Sequence, residues 1–314
     1  MYGLWSGYET NFSLRKPTWK GLGVNVTEAR SSKEALTMSG LDWYVYQQTM
    51  TADNGIPITG FRANLRNTDD FLLGIVTDKY KVVQNHEAFA FTDALLGQGV
   101  RYETAGMLQD GRKTWILAKL PQRYQMMGDW IDPYLVFFNS HDGSGSIKVA
   151  LTPIRVTCQN TLNLALRKAS RIWSTKHTGQ IQSRIDDAMD TLFRAETYMD
   201  ELNQEVNHLA DITFNDSEVS ELVEQLIPLP KDATSQQEKN VIRLRNDLLA
   251  RYYKAPDLKA LSNNGYKFIN AVSDFATHAE PLRKTDSYQE NLFAKTLDGN
   301  PLIDKAHRMI LKAA

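Results

Sequence analysis

The sequence predicts an α+β protein, with an N-terminal antiparallel β-hairpin-rich domain carrying a packed helix and a mainly α-helical C-terminal half that contains one long helix. Up to about residue 160, short runs rich in aromatic and β-branched residues alternate with turn signals. Beyond Gly179 the apolar residues instead recur at steps of three and four. The 314 residues are enough to bury a large core, and the single cysteine, Cys158, excludes an intramolecular disulfide, so packing has to hold the fold. The change of pattern divides the chain into an α+β core domain over 1–180 and a helical region over 181–314.

Trp43 to Met50, Ile58 to Leu65 and Phe71 to Thr77 read as three strands of an antiparallel meander, separated by Asp-Asn-Gly and Asn-Thr-Asp-Asp turns. Asn85 then precedes a short amphipathic helix through Leu96, with Asn85 as its cap and Gly97 as its stop. A second hairpin pairs Val100 to Ala105 with Lys113 to Leu120 around Asp110-Gly111. A third pairs Tyr134 to Asn139 with Ser146 to Leu151, and Ile154 to Cys158 continues the sheet. Whether 160–170 is a buried helix or an exposed recognition helix is left open by its alternation of leucines and polar residues.

In the helical half, Ile181, Ile185, Ala188, Leu192, Ala195, Met199, Leu202, Val206 and Leu209 form one stripe of a long helix over about 181–211, roughly 45 Å at 1.5 Å per residue. Such a stripe suits either a coiled-coil arm or packing against the chain's own domain. A second helix starts near Asp216 and stops before Pro228 and Pro230. Residues 228–240 read as a linker, with Lys231 to Asn240 as its polar part. Val241 to Tyr253, Gly265 to His278 and Asn300 to Lys312 are the terminal helices.

The overall charge is −1, yet it is unevenly spread: residues 1–180 carry 20 Lys+Arg against 15 Asp+Glu, and 181–314 carry 16 against 22. From Gly143 to Arg184 there is no acidic residue among 42, and seven are Lys or Arg. A run so one-sided, rich in Asn, Gln, Thr and Ser, has the composition of a polyanion-binding surface. The candidate nucleic-acid contacts are Lys148, Arg155, Thr157, Gln159, Asn160, Arg167, Lys168, Arg171, Trp173, Lys176 and His177. Cations would track phosphates while aromatic faces stack on bases, the usual chemistry of single-strand binding. A short helix would turn Arg167, Lys168, Arg171 and Lys176 partly to one face.

Other chemistries find less support. The segment Asn139-Ser140-His141-Asp142-Gly143-Ser144-Gly145-Ser146 holds the residue types of a hydrolytic triad, but neighbours in a strand point to opposite faces, which separates His141 from Asp142. The same loop offers backbone amides to phosphate. Cys158 reads as a small buried hydrophobe. The six histidines are scattered without metal-ligand spacing, and neither a P-loop nor a GxGxxG is present, so no metal, cofactor or catalytic residue is expected. No segment is apolar enough to span a membrane, and the first sixteen residues lack the apolar core of a leader, so a cytoplasmic protein with no membrane partner is expected.

Several motifs together resemble a known family. They are Trp19-Lys20-Gly21-Leu22-Gly23, the run from Tyr80 to Phe89, Tyr102-Glu103-Thr104-Ala105-Gly106, the run from Trp115 to Pro121, Asn139 to Ser144, and Thr152 to Leu162. The match continues through His177-Thr178-Gly179 and, more weakly, through Asn270 to Phe275. They resemble the phage/plasmid-like proteins that carry a domain of unknown function, over nearly the whole chain. That family brings no established activity. The order of hairpin, strand, helix and hairpin before a basic segment also resembles the Red-beta and RecT-like single-strand annealing proteins, which assemble into rings or filaments and hold one DNA strand in a basic groove.

The leading expectation is therefore a phage or plasmid protein of the host bacterial cytoplasm that holds or anneals single-stranded DNA as a homo-oligomer in recombination or replication, without catalysis. The first alternative is a protein that binds a host protein, for instance to disarm a defence system. The second is a nucleic-acid enzyme centred on Asn139 to Asp142.

Overall fold

Strands β2 (Val45–Thr51), β3 (Pro57–Arg66) and β4 (Leu72–Thr77) form the meander as a separate three-stranded antiparallel sheet. A computed structural model describes residues 10, 12, 15–90, 92, 93, 99–166, 171–178 and 191–313, with the side chains of 191–193 left out. The outer edge of β2 is met by a side chain: Gln84 Nε2 donates to the Val45 carbonyl and Gln84 Oε1 accepts from the Val45 amide, both at 2.8 Å.

The larger sheet has the order β1 (Gly23–Asn25), β5 (Arg101–Leu108), β6 (Lys113–Lys119), β8 (Asp129–Ser140), β9 (Ile147–Arg155), β10 (Ile172–Thr175), with β7 (Tyr124–Met126) paired to β8. The β5–β6 turn is the expected Asp-Gly, with Asp110 and Gly111 at φ 58° and 94°. Side chains alternate with period two. Ile116, Ala118, Leu135 and Phe137 face one core, while Trp115, Leu117, Val136 and Phe138 face the other. The first core is covered by helices α1 (Ser32–Met38), α2 (Asn85–Ala90), α3 (Thr191–Asp211) and α6 (Gly265–His278). The second is closed by Trp19 and by Phe293 and Leu297 of α7 (Tyr288–Asp298); the Phe293 ring lies 4.5 Å from that of Trp115.

The chain is thus α+β, an antiparallel sheet region followed by a helical half that also includes α4 (Asp216–Leu226), α5 (Ser235–Lys254) and α8 (Pro301–Ala313). Gly265 lets α6 begin against the end of α3, because a Cβ there would stand 2.8 Å from the Leu209 carbonyl oxygen. Of the long stripe, Ala195, Met199, Leu202, Val206 and Leu209 are buried in the chain's own core. Residues 181–190, with Ile181, Ile185 and Ala188 of that stripe, lie outside the described residues.

Several local expectations are corrected. Asn85 does not cap its helix, because its side chain turns inward to bond the Leu41 carbonyl. Residues 91 and 94–96 of that predicted helix, with its Gly97 stop, lie outside the described residues. The polar linker is largely helical, since α5 begins at Ser235 under a capping box between Thr234 and Gln237. The segment 161–166 is irregular, and 172–175 is the strand β10, where a short helix was expected. The segment 156–158 is a turn, ending the sheet at Arg155.

Candidate nucleic-acid interface

At the end of β10 the Lys81 amide donates to the His177 carbonyl at 2.8 Å, and His177 Nδ1 donates back to the Lys81 carbonyl at 3.3 Å. The His177 ring stacks on Tyr80, whose hydroxyl donates to the Ser140 carbonyl at 2.6 Å. Burial lowers the His177 pKa to about 4, against the opposing influence of its Lys81 hydrogen bond and of Asp142, so the ring is neutral at pH 7. The same burial raises the Tyr80 phenol well above its ordinary value, and the nearby Asp142 adds to the shift. This fixed, uncharged base carries charges on its rim. Lys79, Lys81 and Lys176 are exposed, and none pairs with a described acid; Asp78 is the acid within the same stretch. Lys79 and Lys81 were missed in the sequence, although Lys-Tyr-Lys, with alternate residues on one side of an extended run, was a readable sign.

Most of the described part of the acid-free stretch faces inward. Arg155 is fully buried, with Nη2 on Asp129 at 2.5 Å and Nη1 on Asp257 at 3.0 Å. Burial opposes its charge, but the carboxylates of Asp129 and Asp257 hold the guanidinium protonated. Asn160 is buried, accepting from the Cys158 thiol at 2.5 Å and donating to the Asn270 carbonyl at 3.3 Å. Cys158 is the expected buried residue, its thiol pushed up to about 12 chiefly by burial. Arg171 is buried and donates to the carbonyls of Leu151 at 3.2 Å and Thr296 at 3.5 Å. His177 is buried as described. Lys148, on β9, is paired with Asp298. Trp173 is half-buried against the first core, Gln159 is half-buried at φ 58°, and Thr157 is exposed. Arg167 and Lys168 lie outside the described residues. The stretch lacks acids of its own because its partners, Asp129, Asp257 and Asp298, come from distant parts of the chain.

The Asn139–Asp142 loop is a structural knot. His141 is fully buried, and its Nε2–H donates to Asn85 Oδ1 at 2.9 Å. Burial lowers its pKa to about 3, and the nearby His177 lowers it further while Asp142 opposes. Asn64 of β3 donates to the His141 carbonyl at 2.7 Å, tying the meander to the larger sheet. Asp142 accepts from the Ser144 amide and hydroxyl, so the loop's own carboxylate occupies the place expected for phosphate.

Among the described residues, no group of three His, Cys, Asp or Glu is placed to hold a metal ion, and no helix is long and apolar enough to cross a membrane. No curated protein and no solved structure matches the chain. The family model described as Domain of unknown function (DUF932) matches residues 72–296, more than half of the sequence, and the chain belongs to that family.

Proposed function

We propose that this protein holds single-stranded DNA, without catalysis, on an exposed basic rim formed by Lys79, Lys81 and Lys176. The observation that supports it is the pairing of Lys81 with His177, which sets cations from two distant segments side by side on a rigid, neutral base. Lysines held on a fixed backbone are point charges suited to phosphates, and the exposed Thr178 hydroxyl beside them suits phosphate oxygens. A phage or plasmid setting, an oligomeric state and an annealing role in recombination or replication belong to the same proposal and rest on the motif and architectural resemblances.

Fluorescence anisotropy of labelled single- and double-stranded oligonucleotides across a salt series, with mass photometry on the same samples, tests this reading. Salt-sensitive binding that favours single strands and is lost in Lys79→Glu/Lys176→Glu supports it; absence of binding at low salt overturns it.

A second reading, a protein that binds a host protein, is favoured by the outward residues of the meander. Ile56, Ile75, Phe61 and Leu72 are 61%, 52%, 48% and 42% exposed. Apolar exposure of this kind marks interaction surfaces. Under that reading Phe61→Asp/Ile75→Asp abolishes capture of a defined host protein and leaves the fold intact.

A further inference from the structure

The N-terminal segment 15–20 is pinned at four points. Arg15 bonds Asp257 at 2.6 Å and Asp274 at 2.8 Å, both buried acids. The Thr18 hydroxyl bonds that of Thr296 at 2.8 Å, and Gln289 Nε2 donates to the Thr18 carbonyl at 2.6 Å. Trp19 is buried against Tyr134, ring centroids 5.4 Å apart. Beside these anchors Lys16 and Lys20 remain exposed. They stand on one wall of a cleft of about 360 Å³, with Lys284 of the α6–α7 connection on the other. None of the three lysines pairs with a described acid. Glu280 is the one acid among the described residues that line the cleft. On its wall His278 already gives its Nε2–H to the Cys158 carbonyl at 3.1 Å, so it adds no charge at neutral pH.

We propose that this cleft binds a small molecule carrying two or more phosphate groups, such as a pyrophosphate or a nucleoside diphosphate. Three ammonium groups against one carboxylate leave a surplus of positive charge that a single weak anion does not match. The stems of Lys16 and Lys20 come from a backbone already fixed by buried ion pairs and hydrogen bonds, so little ordering is lost there on binding. The volume falls at the lower end of the roughly 300–1,000 Å³ typical of small-molecule sites. The lysines come from two segments far apart in sequence, so the charge converges on the cleft only in the folded chain. A second cleft, about 620 Å³ beside Asp211, Glu218 and Glu221, has the opposite character.

The cleft is separate from the basic rim, and the proposal stands whether or not that rim binds DNA. The test is isothermal titration of the full chain with pyrophosphate and with ADP at low salt. Binding is expected for the unaltered protein and for Lys79→Glu/Lys176→Glu. It should weaken by about tenfold or more in Lys16→Glu/Lys284→Glu, the loss expected when charge-assisted contacts are removed. The milder Lys16→Gln/Lys284→Gln, checked for an unchanged melting profile, guards against a misfolded variant and should weaken binding in the same direction. No binding of either probe, or equal binding by the cleft variants, overturns the proposal. Displacement of bound pyrophosphate by a single-stranded oligonucleotide also overturns it, because the cleft would then belong to a phosphodiester track.

Discussion

The imidazole of His177 lies flat on the phenol of Tyr80, with ring centroids 4.6 Å apart and planes inclined by 15°. The stack joins the end of β10 to the β4–α2 connection, and the Tyr80 hydroxyl bolts both to Ser140. Tyr80→Phe keeps the stack but leaves a buried carbonyl without its donor. The expected cost is about 1–3 kcal/mol, read from urea unfolding. An unchanged midpoint would remove this hydrogen bond from the account.

Acid should loosen the protein before its carboxylates are titrated. His141, His177 and His278 are lowered from 6.5 to about 3, 4 and 4, chiefly by burial. The unfolded chain takes up these protons as pH falls through 6.5, while the folded chain resists until near 4 at His177 and His278 and near 3 at His141. Stability is therefore fully present above 6.5 and is lost progressively between 6.5 and about 3. The urea midpoint at pH 5 should lie below that at pH 7.5, and His141→Gln/His177→Gln should flatten the difference. A midpoint equal at both pH values would contradict the burial of these rings.

Arg155 neutralises acids from both halves of the chain, Asp129 at the start of β8 and Asp257 after α5. Arg155→Met takes the cation from Asp129 and leaves Asp257 with Arg15 alone, and should cost about 3–5 kcal/mol. Cys158 provides the readout. Its buried thiol, with a pKa near 12, should react slowly with a disulfide reagent in the native protein and rapidly once unfolded. Arg155→Met should speed the native reaction; rapid labelling of the unaltered protein would show that the network is open.

Gly74 touches the loop that links the two sheets. A Cβ at this position would lie 2.5 Å from the Asp142 Cα, a backbone atom that no rotamer change can move aside. Gly74→Ala should therefore destabilise by about 1–3 kcal/mol, the range for overpacking. A thermal melt that matches the unaltered protein would separate β4 from that loop.

If the basic rim holds single strands, its phosphate contacts can be counted. Lys79→Glu and Lys176→Glu, made singly, should each make the slope of log affinity against log salt shallower by about 0.7 per contact removed. Unaltered slopes would place the phosphates elsewhere.

The hairpins were legible because turn chemistry and residue alternation are local. The Asp110-Gly111 turn and the strands β6 and β8 stand as expected, and α6 spans Gly265–His278 as read. Even the helical start at Ser235 was readable in principle, through the Thr234 and Gln237 capping pair, but the polar composition around it masked the signal. The charge pattern misled for a physical reason. An acid-free run records which residues are near in sequence, whereas Arg155 and Lys148 find Asp257 and Asp298 only after the chain has folded. The cations now proposed to matter, Lys16, Lys20 and Lys284 in the cleft and Lys79 and Lys81 beside Lys176, are gathered the same way.

The side chain of Gln84 has a further consequence. By taking both hydrogen-bonding groups of Val45, it stands where the first residue of a neighbouring strand would sit. A sheet with such an exposed apolar face would otherwise offer an edge for strand addition, the usual entry to aggregation. One amide blocks that docking point at its start, so the greasy face of the meander can stay in water without recruiting further copies edge to edge at Val45.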